Sequence, residues 1–419
     1  PAEIRIPAKR LESERRLARE AGILFTPSEV QREAVPVGAK NAADAYKKFF
    51  AFAKGNKAFA SIGSKYFEAL PPNQNSEAKI AVSQALATID SKLNEVIEGI
   101  STPYCDFQFD YSAGSSFMFP ELSQLKSLAK VFCIRAVQSI DKARYSDAER
   151  DLRTALLIAS HQYQATNLIS LFTGQATEGI VLGVILNVVK ADPRNQNLLR
   201  MAEAVLNTVE NPRPLRYYTQ TDSVMCLSLF SEIQTVGDVV KVLGPTGEGP
   251  VLSPEQDKYL KEWKSAWEVR YLEEFRKRAT IIPDNYDDIP SAVNKLNAIE
   301  AEFEKKSSDL SYLFAVIVGD GAGPLQAIGT RIARNRTHLK YIQLLEYNRR
   351  TGAFPEELAA LGEVPIDPFD RKPIKYRKTS NGFVIYSVGR DMVDNGGLKR
   401  NQSEVRPENE QYDLVYESP

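Results

Sequence analysis

Four residues near the C-terminus are of the types that hold a hard cation. In "SVGRDMVDNGG", Asp391, Asp394 and Asn395 fall within five residues, and Asp413 stands just ahead of the last apolar run. Calcium takes about six to eight oxygens from carboxylates and backbone carbonyls, and glycine-rich turns let carbonyls converge. The acids lack the alternation and the terminal glutamate of an EF-hand. The same residue types also build a plain Asx/Gly turn, in which side-chain oxygens accept nearby backbone amides. The residues alone leave both readings open.

Other reactive groups are few. His161 and His338 are the two histidines of the chain. Both stand in helical patterns with no glutamate at a metallohydrolase spacing, and each reads as a hydrogen-bonded helix histidine. Cys105, Cys133 and Cys226 have no C-x-x-C spacing, and the apolar settings of "AKVFCIRAV" and "SVMCLSLF" read as buried free thiols. "GPTGEGP" has no Lys-Ser/Thr, "GDGAGP" has the wrong glycine spacing for a nucleotide loop, and "YSAGSSF" is not G-x-S-x-G. No two carboxylates are paired by spacing as acid and base.

The elements that must position these residues are mostly helices. The chain has 419 residues, 43% hydrophobic and 26% charged, a composition that excludes global disorder and allows two or three domains. Fifty-three Lys and Arg against 54 Asp and Glu give no general attraction to nucleic acid.

Apolar stripes at helical spacing place Ala42, Tyr46, Phe49, Phe50 and Ala53 on one face, and Ile80, Leu86, Ile89, Leu93 and Ile97 on another. Thr26, Pro27 and Glu29 predict a capped helix start, and Ser146 with Glu149 a second capping box. Ala148, Leu152, Ala155, Leu156 and Ala159 form the stripe that follows. "RYSDAERDLRTAL" has the small-residue rhythm of a tetratricopeptide hairpin, with no second copy at the repeat period. Tyr259, Trp263, Trp267 and Tyr271 recur every four positions and predict core packing.

A long helix is expected from about Leu325 to Arg350, then strands in "PIKYRK", "GFVIYSV" and "YDLVYE", with a hairpin turn at Asn381-Gly382. The expected organisation is 1–120 N-terminal helical, 121–243 helical hairpin array, 253–350 second helical block and 351–419 C-terminal β module. The fold class is mainly α, an irregular and partly tetratricopeptide-like helical array ending in a small α+β module.

The apolar runs "GIVLGVILNVV" and "YLFAVIV" fall short of the roughly 20 residues of a spanning helix. "AKRLESERRLAREAG" reads as an exposed amphipathic helix supported by an i,i+4 pair, Glu12–Arg16. The chain starts at Pro1 rather than Met, which leaves room upstream for a signal peptide or anchor, and through it for membrane association.

"LLEYNRRTGAFPEEL…VPIDPFDRKPIKYRKTSNGFVIYSVGRDMVDNGG" resembles the C-terminal globular part of the major pseudopilins of type II secretion. There a helix leads through G-x-[YF]-P and D-P-[WF] into a small sheet ending in S-x-G-x-D and G-G. The resemblance covers residues 344–419. The final loop of that family binds calcium, which points to Asp391, the Val388 carbonyl, Asp394 and Asp413 here. Two departures are Asp391-Met392 where the family has D-G, and a long loop of mixed charge before Asp413.

The stretches "TPSEV…NAADAYKKFFAF", "CDFQFDYSAG…ELSQLKSLAKVFCIRAV" and "ARYSDAERDLRTALLIASHQYQATNLIS" are similar to uncharacterised bacterial proteins, common in planctomycetes, that join a helical region to such an end. Members are exported or membrane-tethered and have no assigned activity.

The expectation is a non-catalytic structural or protein-interaction subunit of a periplasmic or membrane-associated assembly, with protein partners, no nucleic acid, and calcium as its one candidate cofactor. The alternatives are a hydrolase with a carboxylate site in a cleft near Tyr104 to Phe119, and an accessory component of a secretion or pilus-like system.

Overall fold

The computed structural model describes residues 8–71, 73, 75–116, 118–210, 212–243, 254–305, 321–399 and 413–418. Most of the expected linker at 242–256, the run "YLFAVIV" and the loop at 400–412 lie outside them.

The helices are α1 (Ala8–Glu20), α2 (Ala42–Ala53), α3 (Lys57–Ser64), α4 (Tyr66–Ala69), α5 (Ser76–Ile100), α6 (Pro120–Asp141), α7 (Tyr145–Gln162) and α8 (Leu168–Ala191). There follow α9 (Gln196–Leu206), α10 (Leu215–Tyr218), α11 (Gln220–Glu232), α12 (Val236–Leu243), α13 (Leu260–Ala279), α14 (Ile289–Glu304) and α15 (Ala322–Thr351). A three-stranded antiparallel sheet ends the chain: β1 (Lys375–Lys378), β2 (Phe383–Ser387) and β3 (Leu414–Glu417), in the order β1-β2-β3.

Five of the fifteen described helices start on an asparagine. Asn41, Asn56, Asn75, Asn167 and Asn195 each accept a first-turn amide through the side-chain oxygen, satisfying a donor that has no partner within the helix. The caps expected from serine and threonine differ. Glu29 does accept the amides of Phe25 (2.6 Å) and Thr26 (3.2 Å), but the turn at Pro27–Glu29 stops at Val30, which is extended. At α7 the helix starts at Tyr145 with no side-chain cap, and Glu149 turns instead to Arg153 (2.8 Å).

The apolar stripes fill three cores. Ala148, Leu152, Ala155, Leu156 and Ala159 of α7 are all buried, as are Tyr46 and Phe49 of α2. On α5 Leu86, Ile89 and Leu93 face inward as expected, joined by Val82 and Val96, while Ile80 is 59% exposed and Ile97 is half-buried. Trp263, Trp267 and Tyr271 of α13 pack with Phe230, Ile233 and Ala18 in a separate core. Helix α1 is therefore not a free surface helix. It is held on α13 by Arg10–Glu273 (2.7 Å), Arg15–Glu268 (2.6 Å) and Arg276–Glu14 (3.1 Å), and its Arg16 pairs with Glu20 rather than Glu12.

Helix α8 extends well beyond the apolar run that flagged it. At 24 residues it is long and apolar enough by composition to cross a bilayer, yet half of its most apolar window is buried within the protein, against α6, α7, α9 and α15.

Helix α15, 30 residues and about 45 Å long, carries the sheet. Tyr341 meets Phe383 of β2 with ring centres 5.3 Å apart, and His338 meets Tyr416 of β3 at 4.5 Å. The D-P-F motif fastens the entry to the sheet. Buried Asp367 accepts the amides of Phe369 (3.0 Å) and Val388 (2.9 Å) and the hydroxyl of Ser387 (2.9 Å), tying the loop before β1 to the end of β2.

Phe369 lies over Gly329 of α15, where an added Cβ would meet the ring at 2.8 Å. Gly329→Ala is therefore expected to destabilise by about 1–3 kcal/mol through overpacking, despite its better helix propensity. Urea unfolding measures it, and a stabilised variant would show that the ring moves freely. Ile374, Phe383 and Ile385 share the largest core with residues from Val30 onward, so helical body and sheet have one interior.

Candidate functional site

The C-terminal loop brings the expected acids together but turns them onto amides. Asp413, 6% exposed, accepts the amides of Asn395 (3.3 Å), Gly397 (2.6 Å) and Leu398 (3.2 Å). Asp391 accepts from the Val393 amide (3.2 Å) and the Asn395 side chain (3.0 Å). Asp394 accepts from the Tyr386 hydroxyl (3.0 Å) and the Gly396 amide (2.9 Å). Val388 is fully buried, with its amide on Asp367. Met392, at the position where the pseudopilin pattern has glycine, has φ 61°, a conformation glycine would take without strain.

Among the described residues no group of three or more His, Cys, Asp or Glu is arranged to hold a metal. As they stand, these donors do not fit calcium, because N–H and O–H donors face the carboxylates where an ion would have to bind. Calcium is expected to leave the melting midpoint where chelator leaves it, and a rise of several degrees would overturn this. Asp413→Ala is expected to cost about 2–4 kcal/mol, since it strands three backbone donors, the amides of Asn395, Gly397 and Leu398.

A second concentration of charge was not visible in the sequence. A cleft of about 570 Å³ lies between α7, α8, the loop at Ser101–Tyr104, the chain before α10, and α15. At its base Arg331 of α15 grips Glu178 of α8. Nε lies 3.0 and 2.8 Å from the two carboxylate oxygens, and Nη2 lies 2.7 Å from one of them. Both side chains are 3% exposed.

Nη2 of Arg331 also donates to the Glu210 carbonyl (2.8 Å), and Asn335 (3.1 Å) and Arg334 (3.4 Å) add donors to Glu178. Burial works against the Arg331 charge, but Tyr163 and Glu178 outweigh it and hold its pKa above the ordinary value. The other acids of the cleft are committed as well: Glu210 accepts from Ser160 (3.0 Å), and Glu33 pairs with Arg213. A general acid or base needs a proton to exchange with substrate, and every carboxylate here already faces a donor.

The histidines are buried and held neutral. His161 sits between the Thr102 carbonyl (2.8 Å from Nε2) and the Tyr46 hydroxyl (2.7 Å from Nδ1). A carbonyl only accepts, so Nε2 carries the proton and Nδ1 accepts from Tyr46. Burial lowers its pKa to about 4. The expected hydrogen-bonded histidine is thus found at His161 and not at His338. His338 has no hydrogen-bond partner on either ring nitrogen among the described residues, and burial, then Arg334 and Lys190, lowers its pKa to about 3. The three cysteines are free, and burial pushes the Cys133 and Cys226 thiols up to about 12, away from nucleophilic use.

Comparison with protein-family models, with curated proteins and with solved structures found no match.

Proposed function

We propose that the chain is a non-catalytic structural or protein-interaction subunit of an extracytoplasmic or membrane-associated assembly, with a C-terminal unit of the pseudopilin kind. The observation that carries the reading is the order of parts around α15. A long helix ends at Gly352 in the left-handed conformation, passes through Phe354-Pro355 and the buried Asp367-Pro368-Phe369, and is then covered by its own antiparallel sheet. The sheet shares its interior with the helical body, so the chain offers partners one rigid surface rather than a tethered module.

The tetratricopeptide-like description of the array is supported by α6 and α7. They are joined by the short turn Lys142–Arg144 and pack through buried Ala129, Ala136, Ala148 and Ala155.

The hydrolase reading draws on the cleft beside Tyr104, and the pairing of each of its acids weighs against it. Tagged protein purified from native membranes is expected to carry a stoichiometric protein partner, cross-linked at the helical body or the sheet. Recovery of the chain alone, from gently solubilised material at native expression, would overturn the proposal.

A further inference from the structure

A second cavity, about 880 Å³, opens between α8, α10, α11, α13 and the start of α15. Its walls are mainly apolar, with Leu168, Phe172, Leu215, Phe275, Ile282 and Ala327 among them. Four charged side chains reach it, and three are already neutralised or engaged. Arg278 pairs with Glu274 and Glu300, Arg216 with Asp284, and Arg390 donates to the Thr330 hydroxyl. The fourth is Asp222 on α11.

Asp222 accepts the Leu168 amide at the start of α8 (3.1 Å) and has no cationic partner among the described residues. The groups facing it from its own helix and from α13 are the Cys226 thiol and the Tyr271 hydroxyl, both held neutral by burial. On the α8 wall the Gln175 amide nitrogen is buried and has no acceptor. Capping α8 accounts for one oxygen of Asp222. It does not account for a carboxylate left without a counter-charge on an apolar cavity.

We propose that this cavity binds an apolar primary amine, with its hydrocarbon body among Leu168, Phe172, Phe275 and Ile282 and its ammonium group on the Asp222 carboxylate. An unpaired charge in an apolar wall is unfavourable, and a cation that brings its own apolar body removes the imbalance while displacing water. A neutral alcohol fills the same volume without the charge, and a fatty carboxylate adds a like one. Burial holds the Asp222 carboxyl up at about 7, so near neutral pH part of the population is protonated. The arriving ammonium then displaces that proton to solvent as the ion pair forms, and one proton is released per protonated site filled.

The test is calorimetric titration of the full chain at pH 7 with decylamine, decanol and decanoate, in two buffers of different ionisation heat. Decylamine is expected to bind about tenfold or more tighter than either analogue, with an apparent enthalpy that changes between buffers. Asp222→Asn retains an acceptor for Leu168 and is expected to bind amine and alcohol equally, without proton release. Ala327→Phe, which fills the cavity, is expected to lose all three probes. Equal affinity of the unaltered chain for amine and alcohol, or no binding of any probe, overturns the proposal whether or not the variants fold.

Discussion

As pH falls from 6.5 to 5 the unfolding free energy is expected to fall with a slope that steepens toward about 1.4 kcal/mol per unit, that of one proton. His161 and His338 have folded values of about 4 and about 3 against an ordinary 6.5, so the unfolded chain binds about one proton more than the folded chain at pH 6.5 and close to two more by pH 5. Their contribution is complete above the unfolded value and is lost as pH falls. Asp222 acts in the opposite sense. Its folded value of about 7 against 3.8 means the folded chain holds a proton the unfolded chain releases, so stability from this group is present at low pH and lost as pH rises. Two less one leaves one.

The substitutions sharpen this. Asp222→Asn is expected to double the slope to about 2.7 kcal/mol per unit, and His338→Leu to flatten it. His338→Leu should also stabilise the protein by about 1 kcal/mol at pH 7, because it removes two buried nitrogens without partners. Asp367 and Asp413, both raised by burial, act in the same sense as Asp222 and reduce the slope in all three proteins alike. Urea unfolding at half-unit steps gives all three slopes. Equal slopes in the three proteins would mean that neither Asp222 nor His338 changes its proton binding on folding.

Glu178→Ala is expected to destabilise by about 3–5 kcal/mol, since it leaves the Arg331 guanidinium buried against a carbonyl and an aromatic ring with no counter-charge. The pair Glu178→Leu with Arg331→Met should recover most of that loss, because replacing both charges removes both desolvation penalties. A single variant within 1 kcal/mol of the parent would mean that water reaches the cleft floor. The double variant separates that outcome from simple loss of packing.

The local elements were legible because they follow from periodicity. The alanine and leucine rhythm of α7, the four-residue spacing of Trp263 and Trp267 and the strands flanking Asn381-Gly382 each depend on near neighbours. The turn itself shifted: Lys378 pairs with Phe383 and the Thr379 amide donates to the Gly382 carbonyl, so the chain reverses at Ser380–Asn381.

What was not legible depends on contacts between distant residues. Glu178 lies beside the most apolar run of the chain, and that position is the only trace of its pairing with Arg331, 153 residues away. Asp222 read as one acid among many until the cavity beside it was known. The acids of the C-terminal loop had the right types and neighbours for a cation, but side-chain direction is not written in the sequence, and all three turn to amides.

Helix α8 also bears on how the protein must be made. The ribosome delivers Glu178 and its apolar surroundings well before Arg331, Arg334 and Asn335, the residues of α15 that answer its charge. Throughout that interval the nascent chain displays a 24-residue segment with the length and apolarity of a membrane span. Vectorial synthesis gives this helix its α6 and α7 partners at once, but leaves the buried Glu178 charge on it unanswered until the last third of the chain arrives.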